Sequence, residues 1–114
     1  MRATRLQLTD IRMLEAWGRE VSFMFRGEMP YLVGSSLDTS DWRDIDVRLI
    51  LRDKNYGQLK KRVNIQHLGL SVSLWGQRAT GLPVDFQIQR MTAANESHDG
   101  RRHPLAMPKQ EYDA

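Results

Sequence analysis

The sequence contains no cysteine, which excludes a disulfide framework, a zinc–thiolate centre and a thiol nucleophile together. It also lacks any long apolar run. The longest are as short as Leu49-Ile50-Leu51, far below the roughly 18 residues of a membrane-spanning helix, so no membrane association is expected. There is no internal repeat and no low-complexity tract. A second, substrate-holding domain is not expected, because 114 residues and 13.3 kDa suit one domain with one modest core. Arg2 and Arg5 make the first residues basic, but Gln7, Thr9 and Asp10 interrupt what would be the apolar centre of a signal peptide. No signal peptide is expected, and the reading is cytoplasmic. What is present is ordinary for a globular chain: 40% hydrophobic and 27% charged residues, with a net charge of +3. That mild basicity is compatible with a polyanionic partner without demanding one.

Apolar residues Ile11, Leu14, Trp17, Val21 and Met24 recur at three- or four-residue steps, predicting an amphipathic helix over residues 9–24 with Thr9 or Asp10 as N-cap. Gly27 and Pro30 break the pattern before a short strand, Tyr31-Leu32-Val33, which ends at Gly34. Residues 44–52 alternate, with Ile45, Val47, Leu49 and Leu51 on one side and Asp44, Asp46, Arg48, Ile50 and Arg52 on the other. Residues 53–62, with Lys54, Lys60, Lys61 and Arg62, read as a surface connection leading into a helix. That helix is marked by Ile65, Leu68, Val72 and Trp75, contains Gly69, and stops at Gly81 and Pro83. A second alternation follows, Val84, Phe86 and Ile88 against Asp85, Gln87 and Gln89. The order predicts an α+β domain over residues 1–90. In it, helices cover one face of a small mixed sheet and the other face is open and polar. Residues 91–114 are expected to be a polar C-terminal tail, docked or mobile, and dispensable for folding.

Three acids gain meaning if they share the open face. Asp44 and Asp46 are two apart on one strand, and Asp85 holds a polar-face position on another. Neighbouring strands would bring the three together as a self-repelling cluster that needs a cation, and oxygen-only ligands suit Mg²⁺ or Mn²⁺. The doublet by itself says nothing: 14 acids in 114 residues produce about two such pairs by chance, and the chain has two, Asp44/Asp46 and Glu111/Asp113. Context gives the first pair weight, because it opens an apolar strand after a Gly-Ser turn. Gly34-Ser35-Ser36 could offer backbone N–H groups and a hydroxyl to phosphate oxygens, although the same tripeptide is also an ordinary turn.

Taken together, Val33-Gly34-Ser35, Asp44-Ile45-Asp46 and Val84-Asp85-Phe86 resemble the DNA polymerase β-like nucleotidyltransferase superfamily, nearest to its minimal members. The resemblance covers residues 11–89. It implies that Gly34 and Ser35, with Ser36 and Arg43 beside them, hold the phosphates of an NTP. It also implies that Asp44, Asp46 and Asp85 are the catalytic residues and the ligands of two Mg²⁺ or Mn²⁺ ions. The reaction so implied moves a nucleoside monophosphate onto a hydroxyl of an RNA, protein or small-molecule acceptor. The alternative is an inactive domain of this fold, a nucleotide sensor or the regulatory half of a toxin–antitoxin pair. A homodimer or a helical partner would complete the pocket. Two departures stand out: the loop before the doublet is short, and Arg43 stands where a small Ser or Thr often precedes the first acid.

Other features have plainer readings. Trp17 and Trp75 fall on apolar helix faces, while Trp42 lies in the polar loop, where it could stack on a base or cap the core. The cations at 54 and 60–62 fit either a nucleic-acid patch or a solvated helix face. His98 and His103 flank a loop unsuited to fixed metal geometry.

Overall fold

Ile11, Leu14, Trp17 and Val21 form the buried stripe of α1 (Leu8–Met24). A computed structural model of the chain describes residues 6–34, 36, 43–97 and 100–106. The expected loop residues Ser35 and Trp42, together with His98, lie outside those ranges. Helix α1 starts one residue before Thr9, with Gln7 as an N-cap that makes no side-chain bond. Asp10 falls instead inside the first turn, where its charge meets the positive end of the helix dipole. The helix ends where Arg26 and Gly27 turn left-handed, at φ 58° and 90°, and the Gly27 N–H donates to the Ser22 carbonyl at 2.7 Å.

The chain continues through β1 (Pro30–Val33), β2 (Ile45–Leu51), α2 (Asp53–Arg62), α3 (Ile65–Thr80), β3 (Val84–Arg90), α4 (Met91–Ser97) and β4 (His103–Pro104). The four strands make one mixed sheet in the order β3-β2-β1-β4. Strand β1 is antiparallel to both β2 and β4, whereas β2 and β3 are parallel. The predicted alternation holds along both long strands. Ile45, Val47, Leu49, Leu51, Val84, Phe86 and Ile88 are buried in one cluster with the α1 stripe and with Ile65 and Val72 of α3. Trp17 anchors that cluster, meeting Trp75 and Phe86 edge-on at centroid distances of 6.2 and 6.0 Å.

Two segments depart from expectation. Residues 53–62 form a helix of their own, with no buried residue, separated from α3 by an extended Val63. Asn64 then caps α3 by accepting the His67 N–H at 3.0 Å. The larger correction concerns residues 91 onward, where part of the expected tail is a core element. Helix α4 buries Ala94, β4 pairs with Tyr31 and Leu32, and the Leu105 N–H donates to the Pro30 carbonyl at 3.0 Å. Leu105 itself is 0% exposed within the central cluster. A single leucine between Pro104 and Ala106 shows no periodicity, so its burial has no signature in sequence.

No helix among the described residues is long and apolar enough to cross a membrane.

Candidate functional site

The polar face of the sheet is read most directly from strand register. Asp46 of β2 lies opposite Asp85 of β3 on one side and opposite Val33 of β1 on the other. Opposed residues share a face, so Asp46 and Asp85 are neighbours beside the end of β1. That strand runs into Gly34, whose φ of +83° suits glycine and strains other residues. A side chain at this position would also collide: a Cβ on Gly34 would lie 2.6 Å from Oδ2 of Asp46. The turn therefore approaches the carboxylate as closely as a backbone can.

Between the two acids stands Arg48, which shares their face of the alternating strand and is, with Arg43, a cation that could pair with them. Two positions after Asp46, it projects from the same face. Its Nη2 lies 3.7 Å from Oδ1 of Asp46 and 3.5 Å from Oδ2 of Asp85. Its Nη1 donates to the backbone carbonyls of Asp85 at 2.8 Å and Val47 at 3.0 Å. The Arg48 side chain is 13% exposed, against 30% for Asp46 and 42% for Asp85. Gln87 adds a donor to Oδ2 of Asp85 at 3.3 Å. A half-buried cation thus fills the charge requirement that the paired acids create.

The other expected site residues are distributed around this centre. Asp44 precedes β2, is exposed, and shares a cavity of about 550 Å³ with Asp85. Among the described residues, no three acidic or imidazole side chains are grouped closely enough to hold one metal ion. Arg43 is exposed, but Ser36 is fully buried, so its hydroxyl does not face a ligand approaching from solvent. A smaller cavity of about 180 Å³ opens beside Gly34 and Asp46, with Arg48, Gln89 and Arg102 in its wall. Arg102 is the unexpected member. It comes from the segment read as tail and donates to the Asn95 side chain of α4 at 3.1 Å, so the open face is bordered by the C-terminal elements.

No family model matches the sequence, and no curated protein or solved structure matches it either.

Proposed function

We propose that the chain is a small metal-dependent nucleotidyltransferase of the DNA polymerase β-like kind, moving a nucleoside monophosphate from an NTP to an acceptor hydroxyl. One observation carries this reading: Asp46 and Asp85 adjoin in register while Gly34 bends over the Asp46 carboxylate with no room for a side chain. Two oxygen donors side by side suit Mg²⁺ or Mn²⁺. Asp46 and Asp85 would hold the metal, with Asp44 within the cavity that Asp85 also lines. When bound, such ions neutralise the reacting phosphates and acidify the attacking hydroxyl.

The remaining work falls to the chain itself. Gly34 allows the backbone to approach a phosphate oxygen. Arg43, exposed before β2, and Arg48, between the acids, supply positive charge to the triphosphate. Asp85 is the more exposed of the two paired acids and accepts the proton of the attacking hydroxyl.

Arg48 also supports a second reading, in which the domain is catalytically inactive and serves as a nucleotide sensor or as the regulatory partner in a toxin–antitoxin pair. A guanidinium already neutralising both acids makes a stable site without metal. Incubation with each α-labelled NTP and Mg²⁺ or Mn²⁺, over a mixture of tRNA and protein acceptors, separates the two. Transferase activity is expected to deposit label and to lose it in Asp46→Asn, Asp85→Asn and Gly34→Val. Nucleotide binding by calorimetry that is identical in EDTA and in Mg²⁺, with no label transferred, supports the inactive reading and defeats the first.

A further inference from the structure

The chain's net charge of +3 is confined to one element. Helix α2 carries Lys54, Lys60, Lys61 and Arg62 against the single acid Asp53, and outside it cations and acids balance. Asp53 is engaged by Thr92, and among the described residues no acid forms an ion pair with the four cations. Lys60, Lys61 and Arg62 lie in the last turn, where the helix dipole favours them. Lys54 lies in the first turn, where the dipole opposes it, so the dipole does not account for the set. Nor does the candidate site, because no α2 cation lines either cavity that contains Asp85.

On the helix surface these residues form a row. Lys54, Gln58 and Lys61 recur at i, i+4 and i+7, opposite Tyr56 and Leu59, which pack against the core. Asn55 and Arg62 flank the row, and all five of these polar side chains are exposed. Gly57 stands among three of the lysines, three positions after Lys54, three before Lys60 and four before Lys61. Glycine inside a helix is unfavourable relative to alanine, and a Cβ here would meet nothing within 4 Å. Internal packing therefore does not require the glycine. Its missing side chain leaves a bare patch of helix backbone, ringed by ammonium groups and open to an anion from outside.

We propose that the outer face of α2 docks double-helical RNA through its phosphate backbone, independently of the transferase reading. Lysines, amide side chains and accessible backbone are the groups that meet phosphate and sugar. The row from Lys54 to Lys61 is about 10 Å long and spans about three phosphates of one strand. A protein partner is disfavoured, because protein interfaces centre on aromatic or aliphatic anchors and are depleted of lysine. A membrane is disfavoured because the apolar side of α2 is turned to the core. A single strand would need free rings on which its bases stack, but Tyr56 packs on the core and lies beneath Arg90 at 5.1 Å. Asn55 and Gln58 favour RNA over DNA. Each amide both donates and accepts, matching the 2′-hydroxyls along the shallow RNA minor groove.

The experiment titrates a 5′-fluorescent RNA duplex of about 16 base pairs with the full chain by anisotropy, in EDTA and at several salt concentrations. Wild type is expected to bind, with affinity falling as salt rises. Lys54→Gln and Lys61→Gln should each weaken binding several-fold and lower the salt slope by about one. Arg19→Gln, which removes a cation exposed on α1, should bind as wild type. Lys54, Lys61 and Arg19 are all exposed, so melting curves should show these variants folded. Gly57→Ala is the sharper variant. With open space around the new methyl its Tm should rise, while binding weakens because phosphate no longer reaches the backbone. A DNA duplex and a single RNA strand of the same sequence should bind more weakly. No binding at low salt, or equal losses in the α1 and α2 variants, overturns the proposal. So does a Gly57→Ala variant that binds as wild type, or a DNA duplex or single strand that binds as tightly. Polyglutamate or phosphatidylserine vesicles that compete as well as unlabelled RNA duplex would overturn it too, by showing an acidic protein or a membrane to be an equal occupant.

Discussion

Leu105 closes directly onto Gly18: a Cβ on the glycine would lie 2.6 Å from the Leu105 carbonyl oxygen and 2.7 Å from its Cβ. Helix α1 and the C-terminal segment therefore meet backbone to backbone, and the contact belongs to the core. Truncation after Arg90 is expected to abolish the cooperative thermal transition, contrary to what the polar composition of residues 91–114 suggests. Leu105→Ala should cost about 2–5 kcal/mol in denaturant melts. Gly18→Ala should also destabilise, because backbone must move to admit it. A truncated chain that melts as sharply as the full one would show that the contact is peripheral.

Arg48 predicts a trade between stability and metal response. Arg48→Met removes the cation between Asp46 and Asp85 and two hydrogen bonds to carbonyls. Solvent reaches Asp85, so the ion pairs themselves contribute modestly, and the expected loss in EDTA is about 1–2 kcal/mol. The unneutralised acids should then gain more from Mg²⁺, giving a larger Mg²⁺-induced rise in Tm than in wild type. A variant with no Mg²⁺ response would identify the pair as purely structural.

Ser73 of α3 is the lock between that helix and the outer strand. Its Oγ donates to the Phe86 carbonyl at 3.1 Å and accepts the Phe86 N–H at 2.7 Å, and both residues are buried. Ser73→Ala leaves two backbone groups of the edge strand without these side-chain partners, and should cost about 1–3 kcal/mol. Gln77, which donates to the Val84 carbonyl at 3.0 Å from a more exposed position, should matter less. Equal and small losses in chemical denaturation of the two alanine variants would contradict this ranking.

Asp53 introduces a pH dependence confined to the join between α2 and α4. The Thr92 hydroxyl, then the Thr92 backbone N–H, hold its carboxyl below the ordinary value; desolvation opposes them, and the Arg90 charge assists. A carboxyl lowered in the folded state contributes its stability in full above the unfolded-chain value and loses it as pH falls through the folded value. The protection of the Thr92 amide, its exchange rate relative to that of an unstructured chain at the same pH, should thus be full at neutral pH and fall in acid, while Asp53→Asn should flatten the profile. Protection of Thr92 that persists unchanged into strong acid would rule out the clasp.

Legibility in the sequence followed the amount of one-sided burial. Strands β2 and β3 each bury every second residue, so their alternation, and the shared face of Asp46 and Asp85, could be read without coordinates. Helices α1 and α3 likewise carry long buried stripes. Helix α4 has seven residues and buries one alanine, and β4 has two residues; neither is long enough to express a period. The N-cap misreading at Thr9 has a related cause, since Gln7 occupies the cap without any side-chain bond to mark it. Arg48 was visible as a polar-face residue, but its position between two acids depends on the register of a strand 39 positions away. Arg102 lines the cavity from a segment whose docking, marked by the buried Leu105, no local pattern announces.

The parallel pairing of β2 with β3 has a kinetic consequence. Parallel neighbours cannot be joined by a hairpin, so Asp85 lies beside Asp46 only when the whole crossover through α2 and α3 is closed. Closing that loop is among the costly, slow events in folding a small domain. No partially folded form that lacks the crossover holds the two carboxylates together. A ligand of this site can therefore bind only when the crossover is closed, and its stabilisation should appear in the rate of global unfolding.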